Sequence, residues 1–142
     1  MHRALTIQEI SRRSGFTGPT LRYYERIGLL GAVGRDPASG HRRYEESTVA
    51  RVDALACLRS SGVSVEGMRR YVDLLGRGDE AAGDLRELFA GHAGRIDAEI
   101  DRLRVRRDYL AFKAQMWEAR QHADRAAEAD AVRRVEEILT EF

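Results

Sequence analysis

Thr6-Ile7-Gln8-Glu9-Ile10, Gly15-Phe16-Thr17 and Thr20-Leu21-Arg22-Tyr23-Tyr24-Glu25 decide how this chain folds. Thr6 followed by Glu9 has the spacing of a capping box, in which hydroxyl and carboxylate satisfy free N–H groups at a helix start. Ile7 and Ile10 then supply one apolar stripe, and Gly15 ends the segment, so a short helix is expected. Thr17 stands as the N-cap of a second helix. Pro19 is tolerated there, because a first-turn N–H has no intrahelical partner to lose. This second helix runs to about Gly28. Two short helices joined by a tight turn at residues 14–16 make a helix-turn-helix pattern, whose second helix is the one that reads a DNA groove.

Working outward, Gly31, Gly34, Pro37 and Gly40 precede His41-Arg42-Arg43-Tyr44, which reads as a loop and a short strand pair, a wing. A third helix is expected from about Ser47 to Ser60, with Val49, Val52, Leu55 and Leu58 on its apolar face. Gly62 breaks it, and Ser64 caps a fourth helix with Val65, Met68, Tyr71, Val72 and Leu75 inward. Farther on, Phe89, Ile96, Leu103, Leu110 and Trp117 recur every seven residues with no proline between them. The alternate seam starts at Leu85 but continues through His92, Glu99, Arg106 and Lys113. One apolar and one polar seam predict a modest coiled coil, and a single helix cannot bury such a seam, so two chains are expected to pair. Val132, Val135, Ile138 and Leu139 predict a short amphipathic segment at the end. The expected architecture is mainly α: a winged helix-turn-helix domain over 1–76, a linker at 77–79, a long antiparallel coiled-coil dimerisation helix over 80–120, and a short C-terminal helix over 121–142.

The chain has 142 residues, 43% of them hydrophobic, enough for a core. Arginine supplies 23 of its 24 basic residues. A net charge of +1 conceals an asymmetry: residues 1–44 hold eight Arg against Glu9, Glu25 and Asp36, a local +5, whereas residues 77–142 carry a local −3. The basic end is therefore the one expected to meet a polyanion. No apolar run approaches the roughly 20 residues that span a bilayer, and the N-terminus lacks a signal-peptide core. With one cysteine, Cys57, no intrachain disulfide forms, and the expectation is a soluble cytoplasmic protein with no membrane partner.

Arg22 and Tyr23 on the second helix, and Arg42 and Arg43 on the wing, carry the expected chemistry: guanidinium forks suit phosphates and guanine edges. Tyr23 is expected to face DNA, and Tyr24 is as readily core as surface. Arg13, Thr17, Gly18, Thr20, Arg35, His41 and Tyr44 complete the expected contact surface.

The combination of Thr6–Ile10, Gly15–Thr17, Thr20–Glu25 and Gly28-Leu29-Leu30 resembles the start of MerR-family regulators. Gly40, Arg42 and Tyr44 are similar to the family's wing, and Leu58-Arg59 with Gly62-Val63-Ser64 to the helix pair behind it. His41 departs from the usual wing tyrosine, and the loop from Arg35 to Gly40 is one residue longer. The resemblance implies a homodimer on a pseudo-palindromic operator in double-stranded promoter DNA. It also implies that effector binding bends and untwists an overlong spacer for RNA polymerase at the same promoter, indirect readout used as a switch.

Metal-sensing relatives carry a cysteine at the start of the dimer helix, where this chain has Gly78-Asp79. His2, His41, His92 and His122 are far apart, so no metal site, cofactor or catalytic residue is expected. The stretch Ala56-Cys57-Leu58-Arg59, with Tyr71-Val72-Asp73-Leu74, Tyr109-Leu110, Lys113 and Trp117, resembles the single-cysteine, aldehyde- and electrophile-responsive branch. Cys57 is thus a candidate sensor, which Arg59 could favour as thiolate. A buried structural cysteine is the alternative. Two further readings stand beside this one: non-covalent sensing of a hydrophobic molecule by Tyr71, Phe89, Tyr109, Phe112 and Trp117, and a helical protein–protein adaptor that never touches DNA. An enzyme is disfavoured, since no phosphate-cradling loop or cysteine–histidine signature is present.

Overall fold

The computed structural model describes residues 3–142. Helix α1 spans Ile7–Ser14, α2 Gly18–Arg26, α3 Glu46–Ser60, α4 Val65–Gly76, α5 Ala82–Gln121 and α6 Arg125–Leu139. Strands β1 (Gly34–Arg35) and β2 (Arg42–Arg43) lie between α2 and α3. The chain divides into two compact units between Phe89 and Ala90.

In the first unit local chemistry sets the helix ends. Thr6 Oγ1 accepts from Glu9 N and Glu9 Oε1 accepts from Thr6 N, each at 3.2 Å, so the capping box is complete. Gly15 takes a left-handed φ of 81° as its N–H closes onto Ser11 O, a conformation that costs a Cβ-bearing residue about 1–2 kcal/mol. Thr17 caps α2 through Thr20 N, and Ser64 caps α4 through Gly67 N. Helix α3 begins one residue before the expected Ser47, and Glu45 at its N-cap makes no side-chain cap bond.

Ile10, Phe16, Leu21, Tyr24, Leu29, Tyr44, Val52, Leu55, Leu58, Val63 and Met68 form one buried cluster. Each full burial of such a side chain contributes about 1.5–3 kcal/mol. Two core assignments change. On α3 Thr48 is buried while Val49 is half-buried. On α4 Leu74, not Leu75, is the fully buried residue. The 3₁₀ turn Gly78–Ala81, in which Ala81 is buried, follows directly and packs against α4. The stretch expected as a linker, 77–79, is occupied by the C-cap Arg77 of α4 and the start of this turn.

In the second unit α6 runs back along α5. Arg120 pairs with Glu128 at 2.7 Å, the Arg134 guanidinium lies over the Phe112 ring, and Tyr109 meets Phe142 edge-on at 5.5 Å. The turn passes through Ala123 at φ 54°, and Asp124 caps α6 through Ala127 N. Met116, Ala119, Ala131, Val135 and Ile138 are buried. Ile96, Ile100, Leu103, Leu110 and Trp117 on α5 remain exposed.

Candidate nucleic-acid interface

Helix α2 is two-faced because its apolar residues recur three apart. Leu21 and Tyr24 turn inward, and Tyr24 packs edge-on against Phe16 with centroids 5.1 Å apart. Arg22, Tyr23 and Arg26 are left outside. Tyr23 is 38% exposed, and the Arg26 guanidinium sits 5.4 Å over its ring. At the N-terminus of α2, Thr17 and Thr20 are joined hydroxyl to hydroxyl at 3.0 Å. Arg22 reaches back toward Gly18, where an added Cβ would stand 3.5 Å from its Nη1. This leaves a positive helix end and a guanidinium on one surface.

The wing pairs Gly34 with Arg43 and Arg35 with Arg42 in antiparallel register. Asp36 organises the turn. Its Oδ1 accepts from Ala38 N and Ser39 N, and its Oδ2 from Arg43 Nη2 at 3.1 Å. These bonds, the two backbone N–H groups first, hold its carboxyl below the usual carboxylate range. Gly40 closes the turn at φ +75°, and Arg35 Nη1 donates to its carbonyl at 3.2 Å. Thr6, Ile7, Gln8, Arg22, Arg35, Gly40, His41, Arg42 and Arg43 line a cleft of about 290 Å³ between the start of α1, α2 and the wing. An open cleft with four arginines at its walls is suited to a phosphate-bearing strand.

The arginines differ in what already holds them. Among the described residues, Arg22 and Arg35 have no carboxylate partner. Arg13 is engaged through both Nε and Nη2 with Asp53 of α3, at 3.0 and 2.9 Å. Arg42 Nε donates to Glu25 at 2.6 Å, and Arg43 is tied to Asp36. Arg13, Arg42 and Arg43 all belong to the expected contact surface, and the structure gives each of them a carboxylate. Glu25 was missed, and a lone acid on a helix offered to a polyanion was the available signal.

Tyr44 also departs from expectation. Its backbone bridges to Leu5 in both directions, N–H to carbonyl at 2.9 and 2.8 Å. Its side chain is fully buried in the core, and its hydroxyl has no hydrogen-bond partner among the described residues. Burial first, and the Glu25 charge second, push that hydroxyl's pKa up. His41 is exposed at the wing tip.

Cys57 is exposed near the end of α3, and its carbonyl accepts from Ser61 Oγ at 2.8 Å. Of the aromatic set considered for a small-molecule site, Tyr71 and Phe89 stack edge-on at 5.7 Å within the first unit, and Tyr109 stacks on Phe142 within the second. Among the described residues no group of three metal-ligating side chains occurs, and His2 lies outside those residues. No helix among them is long and apolar enough to cross a membrane.

A family model described as MerR HTH family regulatory protein matches residues 5–75. The HTH-type transcriptional regulator AdhR of Bacillus subtilis is 33% identical over 92 residues, 65% of each chain. An HTH-type regulator of Pseudomonas aeruginosa is 32% identical over 75% of this chain and 80% of its own. Among solved structures, HiNmlR, described as a MerR family regulator lacking the sensor domain and bound to promoter DNA, aligns with a TM-score of 0.69. It is 27% identical, over 83% of this chain and 94% of its own. A MerR family regulator from Listeria monocytogenes aligns at 0.72, also 27% identical, over 89% and 95%.

Proposed function

The chain belongs to the MerR family of helix-turn-helix regulators and is a DNA-binding transcription regulator, and from that premise we propose that it grips a pseudo-palindromic promoter operator as a homodimer. In this reading α2 enters the major groove with Thr17, Gly18, Thr20, Arg22 and Tyr23. Arg35, His41 and Arg43 of the wing follow the adjacent backbone. The observation that carries it is the cleft in which Arg22 and Arg35, both without a carboxylate partner among the described residues, meet the N-terminal end of α1. Such an arrangement supplies both a fork for a base edge and charge for phosphates. The exposed stripe of Phe89, Ile96, Leu103, Leu110 and Trp117, spaced seven residues apart on α5, is the surface through which a second copy pairs. Effector binding then distorts the spacer DNA for RNA polymerase at the same promoter.

The test is binding to the promoter upstream of the chain's own gene, across a salt series, with wild type and Arg22→Ala. The expected result is a two-fold footprint, with affinity falling about 5- to 150-fold in the variant. Equal affinity for operator and random duplex at every salt concentration would defeat the reading.

For the effector, the exposure of Cys57 favours an electrophile or a thiol oxidant as the signal, since an accessible thiol can react where a core cysteine cannot. A transcriptional response that persists in Cys57→Ser would redirect the search to a non-covalent hydrophobic ligand.

A further inference from the structure

Glu25 is the sole carboxylate of α2, on a helix whose outward residues are Arg22, Tyr23 and Arg26. Left unpaired, it would repel the phosphates that the helix approaches. Its Oε1 instead accepts from Arg42 Nε at 2.6 Å, and the two side chains are only 23% and 24% exposed. The wing needs such an attachment. Its strands are two residues long, and a hairpin alone is marginal in water. The bonds of Asp36 to Ala38, Ser39 and Arg43 all stay inside the hairpin, and the bridge between Leu5 and Tyr44 anchors only its base. Among the described residues, no other side-chain hydrogen bond joins either strand to α2.

We propose that Glu25 is a positioning residue for DNA discrimination: its ion pair with Arg42 latches the wing to the recognition helix at a fixed spacing. Arg42 thereby serves geometry, and contact with the DNA is left to the other residues of the surface, the unpaired Arg22 and Arg35 foremost. Wing and helix reach neighbouring parts of one duplex as a rigid pair. A correct site, whose groove shape matches that spacing, gains over an incorrect one. The pair is part-buried and charge-assisted, so it keeps more strength than an exposed ion pair. The inference rests on α2 being the helix that meets DNA.

The experiment uses the full chain and two duplexes, one selected by the wild type from a random-sequence pool and one of arbitrary sequence, each titrated across salt. Glu25→Gln is expected to reduce the ratio of selected to arbitrary affinity by about five- to tenfold, on the scale of one mismatched base pair. Affinity for the arbitrary duplex holds or rises. The salt slope steepens by about one, because Arg42 is released to neutralise a phosphate. Arg42→Gln is expected to lose the same discrimination without the steepening, and the double variant no more than either single change. Arg42→Lys, which keeps the charge but removes the Nε donor, guards against a variant that fails to fold; it too is expected to lose discrimination while retaining arbitrary-duplex affinity. Unchanged discrimination in Glu25→Gln overturns the latch, as do additive losses in the double variant. A wild type that enriches no duplex at all would defeat the reading of α2 itself.

Discussion

Tyr44 is a residue whose neighbours in sequence and in space suggest different roles. It follows Arg42 and Arg43 in a basic stretch, which suggests a DNA contact, yet its ring is fully buried and its hydroxyl lacks a partner among the described residues. An unsatisfied buried polar group costs about 1–3 kcal/mol. Tyr44→Phe is therefore expected to keep the DNA affinity of the wild type and to hold or raise the urea midpoint; a tenfold loss of affinity would return Tyr44 to the contact surface. Asp53 offers a second check. Its bond to Arg13 holds its carboxyl below the ordinary value of 3.8, so the folded state favours the ionised form. That contribution is complete above the ordinary value and disappears as pH falls through the lower folded value. Asp53→Asn should be less stable than wild type at pH 7, and the gap should narrow as melts are repeated at pH values falling below 3.8. Neither pairing was legible in the sequence. Arg13 and Asp53 are 40 positions apart and Glu25 and Arg42 are 17 apart; which arginines are engaged depends on tertiary folding, whereas the types and number of arginines do not.

At the level of elements, what could be read was what local chemistry decides. Thr6 with Glu9, Thr17 before Pro19, and Ser64 all cap where their spacing places them, because a cap involves only residues two or three apart. The wing was legible as a glycine-rich turn, but the face of each residue was not, since two-residue strands offer no alternation to read. Leu74 shows the limit of the helical pattern: periodicity pointed to Leu75, whereas Leu74 is the buried residue just before the 3₁₀ turn. Gly67 shows how packing reverses a propensity. Replacing a helical glycine by alanine normally stabilises by about 1 kcal/mol. Here the new Cβ would stand 2.6 Å from Val63 Cγ1, and Val63 is a β-branched residue held in the core. Gly67→Ala is expected to destabilise by about 1–3 kcal/mol through overpacking, read as a lower urea midpoint with an unchanged slope. A gain in stability would mean that Val63 can move aside.

At the scale of the whole molecule, the asymmetry of charge and the stripe on α5 bear on one question, whether operator binding needs two copies. Ile96, Leu103, Leu110 and Trp117 are 36–65% exposed along a single helix. The Arg120 guanidinium 4.6 Å over Trp117 covers only part of that ring. Solvent-exposed large apolar side chains at heptad spacing gain most when a second helix covers them, and a charge placed among them removes that gain. Leu103→Glu with Leu110→Glu lies outside the DNA-facing unit, so the fold of that unit and its contact with a single half-site should survive. If the two half-sites are bound by a pair of copies, separating them removes the effective concentration that one bound half gives the other. The full operator should then bind about 100-fold or more weakly, while an isolated half-site is unaffected. Sedimentation of the variant at one half the mass of the wild type, together with that divergence between operator and half-site, is the expected outcome. A variant that sediments as the wild type does and binds the operator as tightly would place the pairing surface elsewhere on the chain.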